Sequence, residues 1–318
     1  CNYGLKARAR EAVDYNPLLR GDILHRLYER LITQHSCDAL LAMTPSQRAM
    51  LVNQSLDQYA AEHFPAELPA RVTYLFNRLR AIACSVFERM MTQFADSAFR
   101  PIACELRIAP DSAVQPYRVQ LSDGSTLRLG GTADRVDCAD FGDQRMFRVV
   151  DYKTGGREFS LGEISHGLGL QMPVYLLALQ QNGYENAQPA GVIYQPAKDP
   201  PLNAAKRDTN AYELERSKQA GLKPAGFVLE DSENPHKLPV MSHVDLARLR
   251  KEIDRVLGEI AHNLRQGKIP ALPVKDACDW CDYQAICGRE SDGATREIPA
   301  TKFEQTLAQL EEVHPDGV

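Results

Sequence analysis

Residues 147–155 read "FRVVDYKTG", a mostly apolar run that closes on an acid, an aromatic, a lysine and a turn. Alternate side chains of an extended strand share a face, so Asp151 and Lys153 point the same way as Phe147 and Val149. Two opposite charges then emerge at the rim of an apolar surface. An ordinary surface ion pair would account for a bare D-x-K, so the meaning of this one rests on the rest of the chain.

Immediately upstream the pattern has period 2. "ACELRIA" (103–109), "YRVQL" (117–121) and "TLRLGGTADRVD" (126–137) are predicted strands, with Asp123-Gly124 a hairpin turn. "FGDQ" (141–144) is another turn, and it returns the chain into the opening strand. Asp134 and Asp151 are therefore expected on adjacent antiparallel strands. Asp137 lies three residues from Asp134, faces the opposite way, and reads as turn or surface chemistry.

The flanks are helical. "DILHRLYERLI" (22–32) has an apolar helical stripe with Asp22 as its expected N-cap. Helices continue through 38–99, broken near Thr44-Pro45 and near Pro65 and Pro69, with the longest at 70–93. Downstream, "LGLQMPVYLLALQQNG" (168–183) is a helix with Pro173 near its first turn, and "AGVIYQP" (190–196) is a short buried strand. Residues 197–240 form a polar, proline-containing excursion with an "AGFVLED" strand inside it. Ser242 then caps a long helix, closed by Gly267, with Leu246, Leu249, Ile253, Val256, Ile260 and Leu264 on one face. The tail, 291–318, holds one short helix and an acidic end.

The 318 residues are 44% hydrophobic and 25% charged, which fits an ordinary globular protein. A net charge of −5 excludes a protein coated in positive charge, so nucleic-acid contact requires a local basic patch. No apolar run approaches the ~18 residues of a membrane span. The first residue is Cys1 rather than methionine, and the chain reads as a fragment of a longer one.

Metal-dependent phosphodiester cleavage needs hard oxygen ligands and a group beside the attacking water. Asp134, Asp151 and the backbone carbonyl of Tyr152 can supply the oxygens for Mg²⁺ or Mn²⁺. Lys153, on the same face, can orient the water and offset charge on the phosphate. Crowded carboxylates repel unless a cation sits between them, so the grouping carries meaning if the two strands are neighbours.

"GGTADRVD", with "VVDYKTG" placing its acid 17 residues after Asp134, resembles the RecB-like branch of the PD-(D/E)XK nucleases. That branch shows G-x-x-D-R-x-D, D-Y-K-T-G and then Q-x-x-x-Y on a helix, matched here by Gln171 and Tyr175. It also carries a histidine on an early helix after a glycine, matched by "RGDILH", and the resemblance makes His25 a metal ligand. Relatives often carry an acid near the site where Glu105 stands. Span 197–240, with "LKPAGFVLED", looks most like the AddB-type subunit of bacterial helicase–nucleases.

"ACDWCDYQAICG" sets Cys278, Cys281 and Cys287 in C-x2-C-x5-C, one thiolate short of a tetrahedral zinc or cubane site. The resemblance supplies the fourth as Cys1, because members with a [4Fe–4S] cluster carry one cysteine far upstream and three downstream. Zinc is the rival occupant.

The resemblance implies an α/β, restriction-endonuclease-like fold: a central mixed sheet flanked by helices, a helical N-terminal region and a C-terminal cysteine loop. Residues 1–100 would be the helical part and 101–290 the nuclease core, with insertion 197–240, cysteine cluster 278–287 and tail 291–318. It further implies a cytoplasmic Mg²⁺-dependent DNA nuclease of double-strand break repair. Its substrate would be single-stranded DNA, with a helicase subunit or an upstream helicase-like region as partner. Asp134, Asp151 and His25 would hold metal with the Tyr152 carbonyl, Lys153 would serve the water, and Gln171 and Tyr175 would position Lys153 or DNA. A free-standing iron–sulfur exonuclease and a non-catalytic DNA-binding module are the alternatives; the second predicts a missing acid or lysine, and none is missing.

Overall fold

Sequence alternation becomes a six-stranded mixed sheet in a computed structural model that describes residues 17–64, 69–155, 159–198, 222–275, 277–283, 286–287 and 293–315. The strands are β1 (Arg100–Ile108), β4 (Gly131–Phe141), β5 (Gln144–Lys153), β6 (Gln188–Pro196), β7 (Ala225–Leu229) and β8 (Val240–Met241), in that spatial order. A separate hairpin joins β2 (Tyr117–Gln120) to β3 (Thr126–Leu129). β1, β4 and β5 run antiparallel, β5 and β6 parallel, β6 and β7 antiparallel. The parallel step requires a crossover, which α5 (Gln171–Gln181) provides.

The stretch 126–137 is two strands rather than one. It breaks at Gly130, where a side chain would collide with the Ile108 carbonyl, and β3 leaves the main sheet to pair with β2. Asp123 and Gly124 form the predicted turn, with Gly124 at φ 81° and the Ser125 amide donating to Asp123 Oδ1 at 2.9 Å.

Helices cover both faces. On one, α1 (Pro17–Gln34), α2 (Cys37–Ala42), α3 (Pro45–His63) and α4 (Ala70–Ala95) pack around Ile23, Leu24, Tyr28, Leu31, Phe87 and Met90. Burying each such side chain contributes about 1.5–3 kcal/mol. Thr44 closes α3 with a capping box through Gln47, at the predicted break. The opposite face buries α5, α6 (His243–Arg265) and α7 (Phe303–Val313) around Val136, Phe147, Val149, Leu176 and Ile253.

Two helix expectations change. Asp22 is not an N-cap: it lies inside α1 and pairs with Arg26 one turn on, at 3.0 Å. In α6, Leu246, Leu249, Ile253 and Val256 are buried, but Ile260 and Leu264 are 39% and 60% exposed. In the last turns the buried face is carried by Leu257 and Ala261 instead, and Arg265 reaches Asp123 and Ser125 of the β2–β3 turn. No described helix is long and apolar enough to cross a membrane.

Candidate active site

At the end of the sheet where β5 stops, residues from three elements converge. His25 projects from the middle of α1, Glu105 from β1 and Asp134 from β4, and their ligand atoms lie within 4.8 Å of one another. His25 Nδ1 is 3.5 Å from Asp134 Oδ2 and 3.8 Å from Glu105 Oε1, while its Nε2 lies 3.3 Å from the Tyr152 carbonyl oxygen. The Tyr152 amide donates to Asp134 Oδ2 at 2.9 Å. The continuing antiparallel register sets Asp134 opposite Asp151.

Glu105 reaches the cluster through its backbone. Its φ is 47°, a left-handed conformation in the middle of a strand. Non-glycine residues hold such values where surrounding structure over-determines them, commonly at functional sites. Sequence alone leaves this acid's role open, since alternation says nothing about a single inverted residue.

The electrostatics follow from crowding. Burial raises the Asp134 carboxyl, and the charge of Asp151 raises it further against the opposing pull of His25, to about 6. Burial works against protonated His25, but Glu105, Asp134 and the Tyr152 carbonyl outweigh it and hold the imidazole at about 9. A protonated ring thus takes up the central position among three oxygen acceptors.

Asp151 is 4% exposed. Lys153 Nζ forms an ion pair with its Oδ2 at 2.8 Å. A buried carboxylate beside a second one whose proton affinity it raises is an anionic pair that suits a hard cation. His25, Glu105 and Asp134 thus form a group that could hold a metal ion, with the Tyr152 carbonyl against His25 and the charge of Asp151 acting on Asp134.

Lys153 is 42% exposed at its side chain and opens into a cleft of about 350 Å³ together with Gln171. Tyr175 lies beneath, 8% exposed, with Gln171 Nε2 3.5 Å from its hydroxyl. A side chain at Gly131 would strike that hydroxyl, which explains glycine at the start of β4. The four-residue spacing does bring Gln171 and Tyr175 to one face. Arg20, which sequence reasoning passed over, donates to the Thr154 carbonyl at 3.0 Å and ties α1 to the end of β5.

Asp137 requires correction. It faces away from Asp134, as alternation predicts, but it is fully buried rather than at the surface. The reason is the cover that α4 supplies and two arginines. Arg135 Nε donates to Oδ1 at 2.7 Å and Arg148 Nε to Oδ2 at 3.0 Å. Burial alone would raise the Asp137 carboxyl; the two guanidiniums outweigh it and hold it below the ordinary range. The excess positive charge spreads onto aromatic faces, with Arg135 5.0 Å from the Phe94 centroid and Arg148 4.3 Å from that of Phe99. Arg135 Nη1 also donates to the Tyr152 hydroxyl at 2.6 Å, so this network anchors the side chain of the residue whose amide and carbonyl serve the site.

The sequence of residues 1–288 matches the model of the PD-(D/E)XK nuclease superfamily. The chain belongs to that superfamily. Its acids, lysine and early-helix histidine therefore occupy the end of a nuclease sheet, and the six-stranded mixed sheet is the restriction-endonuclease-like fold that the motifs imply. The chain is also similar to proteins named as the B-type subunit of an ATP-dependent helicase/deoxyribonuclease. That of Clostridioides difficile (strain 630) is 25% identical over 332 residues, covering 91% of this chain and 28% of the relative. That of Clostridium novyi (strain NT) is 26% identical over 351 residues, covering 99% and 31%. That of Caldanaerobacter subterraneus subsp. tengcongensis is 25% identical over 356 residues, covering 99% and 30%. The chain thus spans under a third of the length of these curated relatives.

The described residues take in only part of the cysteine loop. Cys278 lies in a short 3-10 turn (Ala277–Trp280), and the Cys281 amide donates to its carbonyl at 3.2 Å. Cys281 and Cys287 are exposed, and none of the three is in a disulfide. Cys1 lies outside the described residues, as does 199–221 of the excursion.

Proposed function

We propose that this superfamily member is the nuclease domain of a helicase–nuclease that processes DNA double-strand breaks, and that it hydrolyses phosphodiester bonds with Mg²⁺ or Mn²⁺. The observation that carries the reading is the convergence of His25, Glu105 and Asp134 beside the Asp151–Lys153 ion pair. The name shared by the relatives supports the helicase association and a deoxyribonucleic substrate.

A bound divalent ion would polarise the phosphate and acidify the attacking water. Asp134 and Asp151 would hold it as anionic oxygens with Glu105, His25 and the Tyr152 carbonyl, and the Tyr152 amide's bond to Asp134 ties that residue's backbone to the acid. Lys153 hydrogen-bonds the water and steadies the non-bridging phosphate oxygens from the open cleft. Gln171 positions Lys153 or the strand, with Tyr175 as the support beneath it. The strand is single, fed by the partner's motor, and bound mostly through its phosphates, so binding is salt-sensitive.

Cys278, Cys281 and Cys287 with Cys1 are proposed to hold a [4Fe–4S] cluster that pins the C-terminal loop, with zinc as the rival occupant. Iron, sulfide and zinc analysis of anaerobically purified protein decides between them. For the active site, calorimetric Mn²⁺ titration and DNA cleavage are compared in wild type and Asp134→Ala. Loss of both in the variant is expected; undiminished Mn²⁺ binding overturns the assignment.

A further inference from the structure

The sheet register continues the site in a line. Asp151 pairs with Tyr194 and Tyr194 with Ala225, and the registers on either side, continued by one residue, set Asp134 against Asp151 and Glu105 against Asp134, one residue from each of five strands. Neighbouring strands are ~4.8 Å apart, so the line runs roughly 14 Å from β4 to β7. Two clefts open along it. The first, about 350 Å³, holds Lys153 and Tyr194; the second, about 500 Å³, holds Lys223, His236 and Lys237. Phe159 and Ser160 line both, so the clefts adjoin.

The walls suit a nucleic-acid strand. Phe159 and Tyr194 stack with centroids 5.1 Å apart and planes at 25°, both half-buried with edges in the cleft, and Lys153 Nζ stands 5.5 Å from the Tyr194 centroid. Their faces are taken up by each other, by Lys153 over Tyr194 and by Phe227 against Phe159, so the cleft offers a strand an apolar aromatic edge. Beyond them the cations begin. Lys223 and Lys237 are exposed, and among the described residues neither pairs with an acid. His236 is held below its usual pKa by burial and by Arg148, so the charge of the second cleft comes from the lysines. Lys237 is also fixed in place: its φ is 53°, held because Asn234 both donates to the Leu238 carbonyl and accepts from the Leu238 amide, each at 2.8 Å. In a chain of net charge −5, two unpaired lysines in a cleft that adjoins an acidic centre form a local patch for anions.

We propose that the adjoining clefts are one groove for a single DNA strand, which packs against the edges of Phe159 and Tyr194 and has the phosphates beyond them held by Lys223 and Lys237. The proposal rests on the nuclease reading and adds the direction in which the strand leaves the acids: across β6 and β7, toward the 234–239 loop. Apolar packing and phosphate contact together give binding with little sequence preference.

The test is fluorescence anisotropy of labelled oligo-dT with the chain in EDTA, across a salt series. Each phosphate contact on a single strand contributes about 0.7 to the slope of log K against log salt. Lys223→Gln with Lys237→Asn, asparagine being tolerant of positive φ, is expected to reduce that slope by about 1.4. Phe159→Leu, which removes the aromatic edge, is expected to weaken binding about threefold with the slope unchanged. Lys268→Gln, an exposed lysine past the end of α6, controls for general charge. A double variant with the wild-type slope, or a control that lowers it equally, overturns the groove. Wild-type protein that fails to cleave DNA with Mg²⁺ or Mn²⁺ overturns the nuclease reading itself, whereas cleavage with an unchanged slope overturns the groove alone.

Discussion

The Tyr152 amide donates to Asp134 Oδ2 at 2.9 Å, and the carbonyl of the same residue faces His25 at 3.3 Å. One peptide segment at the end of β5 thereby sets the acid of β4 and the histidine of α1 relative to each other. Its side chain points to the other face, where Arg135 grips the hydroxyl. The site is consequently built on backbone that both layers of the fold hold still.

Metal binding should release protons. In metal-free protein His25 titrates at about 9 and Asp134 at about 6, so near pH 7.5 the histidine carries the proton that a metal must displace. Apparent affinity for Mn²⁺ is expected to rise about tenfold per pH unit between pH 7 and 8.5 and to flatten above 9. Calorimetry in buffers of different ionisation enthalpy should show about one proton released per ion at pH 7.5. His25→Ala should abolish that release; its persistence would remove His25 from the ligand set.

Glu105 should invert an ordinary preference. Alanine normally exceeds glycine inside a strand, but at φ 47° a Cβ is strained. In EDTA, Glu105→Gly should therefore be more stable than Glu105→Ala by about 1 kcal/mol. Both should weaken Mn²⁺ binding. Urea denaturation with alanine equal or superior would mean the backbone is relaxed there.

Asp137 should act through stability rather than chemistry. Its folded pKa lies below the unfolded value, so its contribution is fully present above about pH 4 and is lost as pH falls through the folded pKa. Asp137→Asn leaves two buried guanidiniums short of a counter-charge and should cost about 3–5 kcal/mol at pH 7, by urea denaturation. The difference from wild type should shrink toward pH 3. A constant difference would contradict the ion-pair account.

Gly131 and Tyr175 should be energetically coupled. Gly131→Ala overpacks against the Tyr175 ring and should cost about 1–3 kcal/mol. In a Tyr175→Phe background, which lacks the colliding oxygen, that cost should fall by at least half. Strict additivity in the double-mutant cycle would show the two do not meet in solution.

Much of this was legible in the chain because it depends on local period. Alternation in 147–153 and the Gly142 turn suffice to place Asp134 against Asp151, and the four-residue step suffices to align Gln171 with Tyr175. What alternation cannot express was hidden. The positive φ of Glu105 re-aims one side chain against its strand's pattern, and Asp137 looks superficial until α4 covers its face. The exposed Ile260 and Leu264 show the same limit, since periodicity marks a helix face but not which side of it is covered. Gly130 and Gly131 were visible as a pair, yet the break between two sheets depends on how close Ile108 and Tyr175 approach.

The most direct measurement is cleavage of end-labelled single-stranded DNA with Mg²⁺ or Mn²⁺ by wild type and by Lys153→Ala, with binding measured alongside in EDTA. The account predicts cleavage by the wild type and a loss of at least about a hundredfold in the variant, the scale of removing one preorganised electrostatic contact, with binding changed only slightly. Equal cleavage by both proteins would contradict the assignment of the β5 terminus as the reactive centre.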